Sequence, residues 1–306
     1  MTEHKVDWSL RVGLLLVSLS LFSYMLYELV NGIINRGPLT ILFIYLTDIP
    51  FGVGLALRTT AGLVASVATL FYVAKRDLSK PEAFMAARFA VLFEAGYWLS
   101  FLPSGILGLG WLTNPSISFL ESISGFVENT LPCLVQSIVL VAVLVKLFFE
   151  LSPNRSHRGA IKWALIAGTL YVFVFWLNNT GNWIAAVISK GTDYIMLYPA
   201  NLFSFLITTV GLLVLGICAA YFTKKTIGAD SLARINLHTV GVIVTLIGIY
   251  FLGHYVMWLF LGSVGGWGTW YAWLLGHNLD LWAMSLPFVG IPLLFRTEGP
   301  QYTAQE

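Results

Sequence analysis

The sequence predicts an all-α, polytopic transmembrane bundle of about eight spans with both termini in the cytoplasm, and three observations predict it. Of 306 residues, 58% are hydrophobic and 10% charged, with a mean hydropathy of +0.80, whereas roughly a quarter of an ordinary soluble domain is charged. Apolar runs long enough to cross a bilayer recur along the whole chain. Lysine and arginine gather at every second junction between those runs, the pattern that cytoplasmic loops carry. The chain reads as a single integral membrane domain over residues 1–306.

Breaking the apolar runs at charges, prolines and glycines places spans at residues 9–35, 51–75, 83–108, 119–149, 160–189, 194–222, 235–261 and 270–295. The first follows a short polar segment, Met1 to Asp7, and exceeds the apolar core of a signal peptide without offering a small-residue cleavage site, so it is expected to remain as an anchor. Pro38 to Pro50 is apolar but too short to cross, and is expected to lie at the interface or to re-enter between helices. Fourteen of the 17 basic residues fall on one side of this arrangement, leaving only Arg36, Arg58 and Lys190. Phe89 to Val145 and Ile235 to Phe295 contain no lysine or arginine, and each reads as an out-and-back hairpin. FEAGYWLSFLPSG in the third span aligns without gaps to GHYVMWLFLGSVG in the seventh, setting Glu94 opposite His254 and Trp98 opposite Trp258. Four spans per half would then form a parallel repeat.

The net charge of +2 supplies no basic stripe, which argues against a nucleic-acid partner. Cys133 and Cys218 sit inside apolar runs with no metal-binding spacing. The lipid bilayer, that of the cell membrane, is the expected environment. A small-molecule or lipid substrate arriving from the outer face is the expected partner, with other membrane subunits as further candidates.

Ionisable groups inside a bilayer are costly and mark functional sites by default. Outward-running spans carry Glu28, Glu94, the group Asn178, Asn179 and Asn182, and His254; inward-running spans carry Arg58, Glu128, Asn201, and His277 with Asp280. Measured from the ends of their runs, these residues suggest one polar layer in the outer half, roughly 10 to 15 Å deep. His277 and Asp280 share a helix face at i,i+3, as do Asn178 and Asn182 at i,i+4. Pro132 withdraws a donor one turn after Glu128 and is expected to free that residue's carbonyl. Trp98, Trp183, Trp258, Trp267, Trp270 and Trp273 read mostly as an interfacial aromatic belt.

Four carboxyls, Glu28, Glu94, Glu128 and Asp280, face one intramembrane base, Arg58. Full ionisation would leave charge that an apolar interior does not tolerate, so protons, a bound cation or water must compensate. Imidazole and carboxylate together suit a divalent metal, and two level imidazoles suit haem b. On this reading His254 and His277 are metal ligands, Glu94, Glu128 and Asp280 are catalytic, and Arg58, Asn178 and Asn182 bind substrate, in a membrane-embedded metal or haem enzyme or redox subunit. The competing readings are a proton- or cation-coupled small-molecule transporter and a non-catalytic subunit whose polar residues fix packing. The apolar character of the inner half weighs against the transporter. No nucleotide-binding, hydrolase or metalloprotease motif shifts the balance.

The topology has a direct check. Asn154-Arg155-Ser156 is a glycosylation sequon in a loop assigned to the cytoplasm. Expression in a glycosylating host should leave Asn154 unmodified by mass spectrometry, and a glycan there inverts the arrangement.

Overall fold

The computed structural model describes residues 37–47, 80–152, 157–197 and 199–228, with the single positions 26, 29, 30, 33, 34 and 67. The described structure is helical throughout, with no strand among the described residues. A ten-residue helix, α1 (Pro38–Thr47), is about 15 Å long at the helical rise, too short to cross a bilayer. Next come α2 (Lys80–Leu99) and α3 (Leu102–Gly108), separated by a break at Ser100 and Phe101, then a single turn, α4 (Gly110–Thr113). Helix α5 (Phe119–Glu150) and α6 (His157–Lys190) follow, then the short α7 (Asp193–Met196). Helix α8 starts as Pro199–Phe205, widens through Leu206–Gly211 and ends as Leu212–Ile227.

Four stretches are long and apolar enough to cross a membrane: Ala87–Gly108, Phe119–Glu150, Arg158–Lys190 and Asn201–Ile227. The first three follow the runs expected at 83–108, 119–149 and 160–189. The fourth begins later than the expected 194–222, because the chain makes the turn α7 after Gly191 and restarts at Pro199, whose fixed φ suits a first helical position. Of the remaining four expected spans only those single positions are described, and both termini and the seventh-span half of the repeat lie outside the described residues.

Local chemistry explains the ends. Ser118 caps α5 with a reciprocal pair: its hydroxyl accepts from the Glu121 amide at 3.3 Å, and the Glu121 carboxylate accepts from the Ser118 amide at 2.9 Å. Asn114 supports the preceding turn by accepting from the Ser116 amide at 3.0 Å. At the far end of α6, Gly191 adopts φ +80° and returns its amide to the Val187 carbonyl at 2.8 Å, a stop that a side chain would strain.

The helices pack in chain order, α2 on α5, α5 on α6 and α6 on α8. The core joins Ala87, Val91 and Trp98 to Leu140, Leu144 and Leu147, to Ala160, Ala164 and Tyr171, and to Leu212, Leu215 and Ala219. Outward faces are equally apolar, with Ile138, Val139, Phe149, Val214 and Ile217 exposed. Apolar side chains on both sides of each helix suit surroundings that are themselves hydrocarbon, where small residues and close backbone approach hold helices together.

The closest approach lies where α5 departs from α-geometry. Phe126–Thr130 is a π turn, and the Leu131 amide reaches back five residues to Phe126 O. Pro132 follows inside the resumed helix. In this wider register the donor that Pro132 withholds is the one Val127 O would receive, so the freed carbonyl belongs to Val127 and not to Glu128 as expected from α-helical spacing. Gly181 of α6 sits directly against it: a Cβ there would overlap Val127 O and press on Glu128 Cα. On the other side of the π turn, Gly105 lies against Leu134 and Gly108 against Thr130.

Gly181→Ala should therefore cost about 1–3 kcal/mol, since backbone and not a flexible side chain must yield. Gly96→Ala, where nothing lies within 4 Å, should leave stability unchanged or raise it slightly. Thermal unfolding in detergent reads both, and equal midpoints for wild type and Gly181→Ala would rule out the close crossing.

Candidate functional site

Charge divides the bundle into two ends. Arg88, Lys146, Arg158, Lys162, Lys224 and Lys225 lie together at one end, as the Arg88 guanidinium 4.5 Å from the Phe148 ring, the contact of Gly159 with Glu150 and the Thr169–Thr223 hydroxyl pair require. Lys146 is paired with Glu150 at 3.1 Å. The Glu150 carboxylate reaches the first turn of α6 beside Gly159, where unsatisfied amides favour an anion. Lys190 lies at the opposite end, over the Tyr194 ring at 4.3 Å.

The glycine contacts fix the levels of the candidate residues. Because Gly108 meets Thr130 and the helices run antiparallel, Glu94, fourteen residues before Gly108, lies about 20 Å along the bundle from Glu128. Glu94 is thus in the basic half, level with the Leu144 region of α5, and does not share a layer with Glu128. Distance from the end of an apolar run misplaced it, because register is set by where glycines allow contact. The Gly181 crossing does bring Asn178 and Asn182 to the level of Glu128. Glu128 is partly buried, whereas Asn178 and Asn182 are exposed on the described bundle. Asn179 donates to the Phe175 carbonyl of its own helix at 2.8 Å, and Asn201 to Tyr194 O at 2.8 Å.

Arg58, His254, His277 and Asp280 lie outside the described residues. Among the described residues no group of three or more histidine, cysteine, aspartate or glutamate side chains could hold a metal ion. One centre cannot take both Glu94 and Glu128 as ligands across about 20 Å, since metal–oxygen bonds are about 2 Å long.

Two tryptophans assigned to an interfacial belt are internal. Trp98 is buried, with its ring 5.4 Å from that of Tyr171 on α6. Trp183 donates its indole N–H to Thr208 Oγ1 at 2.9 Å, and Thr208 in turn donates to Ser204 O at 2.7 Å. At the basic end the same interface is joined by Thr169 and Thr223, whose hydroxyl oxygens are 2.9 Å apart. The residues Thr169, Phe173, Trp176, Thr180 and Trp183 recur at helical spacing along this side of α6.

Buried polar atoms without a partner fall in two groups. In the half away from the basic end are Thr130 Oγ1, Thr180 Oγ1, Thr209 Oγ1 and Trp176 Nε1; in the basic half are Glu94 Oε2, Trp98 Nε1 and Arg88 Nε. Hydroxyls in membrane helices ordinarily return to the carbonyl one turn back, as Ser137, Ser189, Thr208 and Thr226 do here. Thr130, Thr180 and Thr209 do not. Two of them, Thr130 and Thr209, lie in π turns, which frequently accompany functional sites. In the sequence these threonines carry little signal, because the residue type serves lipid faces and cores alike; the Asn-Asn-Thr-Gly-Asn run at 178–182 and the Thr208-Thr209 pair are what marks them. No protein-family model, curated protein or solved structure matches the chain.

The Trp183–Thr208 bond should show up in a double-mutant cycle. Trp183→Phe and Thr208→Val, measured singly and together by unfolding in detergent, should give a coupling of about 0.6 kcal/mol, the usual worth of such a bond between membrane helices. Additive effects would show that the bond does not contribute.

Proposed function

We propose that the chain is an eight-span membrane protein with cytoplasmic termini in the cell membrane, and that it works as a proton- or cation-coupled small-molecule transporter. The observation that supports this reading is the separation of Glu94 from Glu128 by about 20 Å along the bundle. An enzyme site fed from one face has no use for a second buried carboxyl near the other. A carrier needs polar groups along its path in both halves, because its site opens to each side in turn. The inner half, apolar in overall sequence, is polar inside through Glu94, Gln136 and the Thr169–Thr223 pair while its lipid face stays apolar.

The solute site belongs at the level of Glu128, Asn178 and Asn182, where unpartnered hydroxyls and the Val127 carbonyl add hydrogen-bonding groups. Arg58 is assigned to the same path. The metal or haem enzyme remains the second reading, carried by His254, His277 and Asp280 with Glu128.

Purified protein in proteoliposomes loaded with a pH-sensitive dye should acidify or alkalise the lumen when its solute is added from a panel of small polar molecules. Glu128→Gln should weaken apparent affinity about tenfold or more, as loss of a charge-assisted bond does. A Soret band or stoichiometric bound metal, with no flux for any solute, would replace the carrier with the enzyme.

A further inference from the structure

We infer that Glu94 is a proton-binding site, and that the proton it takes and releases is the ion coupled to solute movement. The coupling role rests on the transporter reading; the proton site does not.

Glu94 occupies one stripe of α2 with Ala87, Val91 and Trp98; the helix packs on α5, and Trp98 reaches Tyr171 of α6. Its side chain is 2% exposed. Oε2 makes no hydrogen bond of good geometry, and the donor that faces the carboxyl is the neutral Trp98 indole N–H, one turn further on the same face. The charged groups around it are engaged elsewhere. On its own helix, Arg88 lies over the Phe148 ring at 4.5 Å, about 9 Å away along the axis. On α5, Lys146 is at a similar level but half exposed and paired with Glu150 at 3.1 Å. On α6, Lys162 is exposed, 5.9 Å from the Trp163 ring, and Tyr171 meets the Trp98 ring at a tilted angle; on its own helix, buried Tyr97 lies one turn on. Among the described residues no counter-charge pairs with this buried carboxyl, which then needs a positive occupant. A metal cation requires several oxygen ligands, and among the described residues no group of three or more histidine, cysteine, aspartate or glutamate side chains forms to supply them. A single carboxyl closed to water suits a proton.

Position fits the role. Glu94 is seven residues inside Ala87, about 10 Å from the basic end, with the π turns and the Glu128 level beyond it. Proton exchange with the basic side is short, while the solute level lies further along the bundle.

The test uses the full chain in detergent and the hydrophobic reagent dicyclohexylcarbodiimide. A protonated carboxyl adds across one C=N bond of the reagent: the acid oxygen bonds to the central carbon, the acid proton moves to nitrogen, and the adduct rearranges to a stable N-acylurea with no atom lost and no change of oxidation state. Peptide mass spectrometry should find the adduct on Glu94 and show it falling about tenfold per pH unit above a midpoint, as a single titrating group requires. Glu94→Gln, which keeps shape, should remove this adduct and leave the rest of the labelling pattern; Glu94→Asp should retain it. An unlabelled Glu94, or labelling indifferent to pH, overturns the site. In proteoliposomes, Glu94→Gln should keep solute exchange but lose accumulation driven by a proton gradient. Gradient-driven accumulation undiminished in Glu94→Gln overturns the coupling role. Labelling that titrates in a protein moving no solute leaves the proton site standing and removes the transporter.

Discussion

The described bundle depends on the contact between a main-chain carbonyl and a glycine. Pro132 withholds a donor, the π turn at Phe126–Thr130 decides that Val127 O is the acceptor left over, and Gly181 lets α6 come close enough to cover it. In water such a carbonyl would be hydrated; inside a bilayer it must find cover from protein. A Cα–H group close to a carbonyl is a weak donor worth a fraction of a hydrogen bond, but here it removes a larger penalty. On the opposite side of α5, Gly105 and Gly108 make room for the side chains of Leu134 and Thr130. Sliding either neighbouring helix by one turn would set a side chain against this backbone, so three glycines set the register of the three helices.

Register, in turn, distributes chemistry along the membrane normal. The Trp183–Thr208 and Thr169–Thr223 contacts join α6 to α8 at two heights, with unpartnered Trp176, Thr180 and Thr209 belonging to the stretch between them. An interface joined at both ends but unpaired in the middle keeps its alignment while the middle stays free to take other partners. The π turn at Leu206–Gly211 widens α8 there.

Much of the helical skeleton was legible in the sequence, because a hydrocarbon slab of fixed thickness demands runs of matching length: the runs ending near Gly108, Glu150 and Lys190 lie where expected. The capping box at Ser118 was equally open to reading, since its two residues act on each other over three positions. The relative heights of Glu94 and Glu128 were not. When lipid and core are both apolar, no hydrophobic stripe marks which face meets which neighbour, and register rests on single glycines whose importance appears only when the opposing backbone is known. For the same reason Trp98 and Trp183 resembled belt residues: an indole seeks a partner for its N–H, and Thr208 supplies that as well as interfacial water does.

The asymmetric position of Glu94 makes the membrane potential a participant. A charge reaching it from the Lys190 end travels about two thirds of the helix Ala87–Gly108, whereas one reaching it from the basic end travels about one third. A unit charge crossing the whole potential gains or loses about 2.3 kcal/mol per 100 mV, so the longer path is worth about 1.5 kcal/mol per 100 mV and the shorter about half that. Occupancy of this carboxyl therefore depends on the electrical state of the membrane as well as on the pH of either compartment.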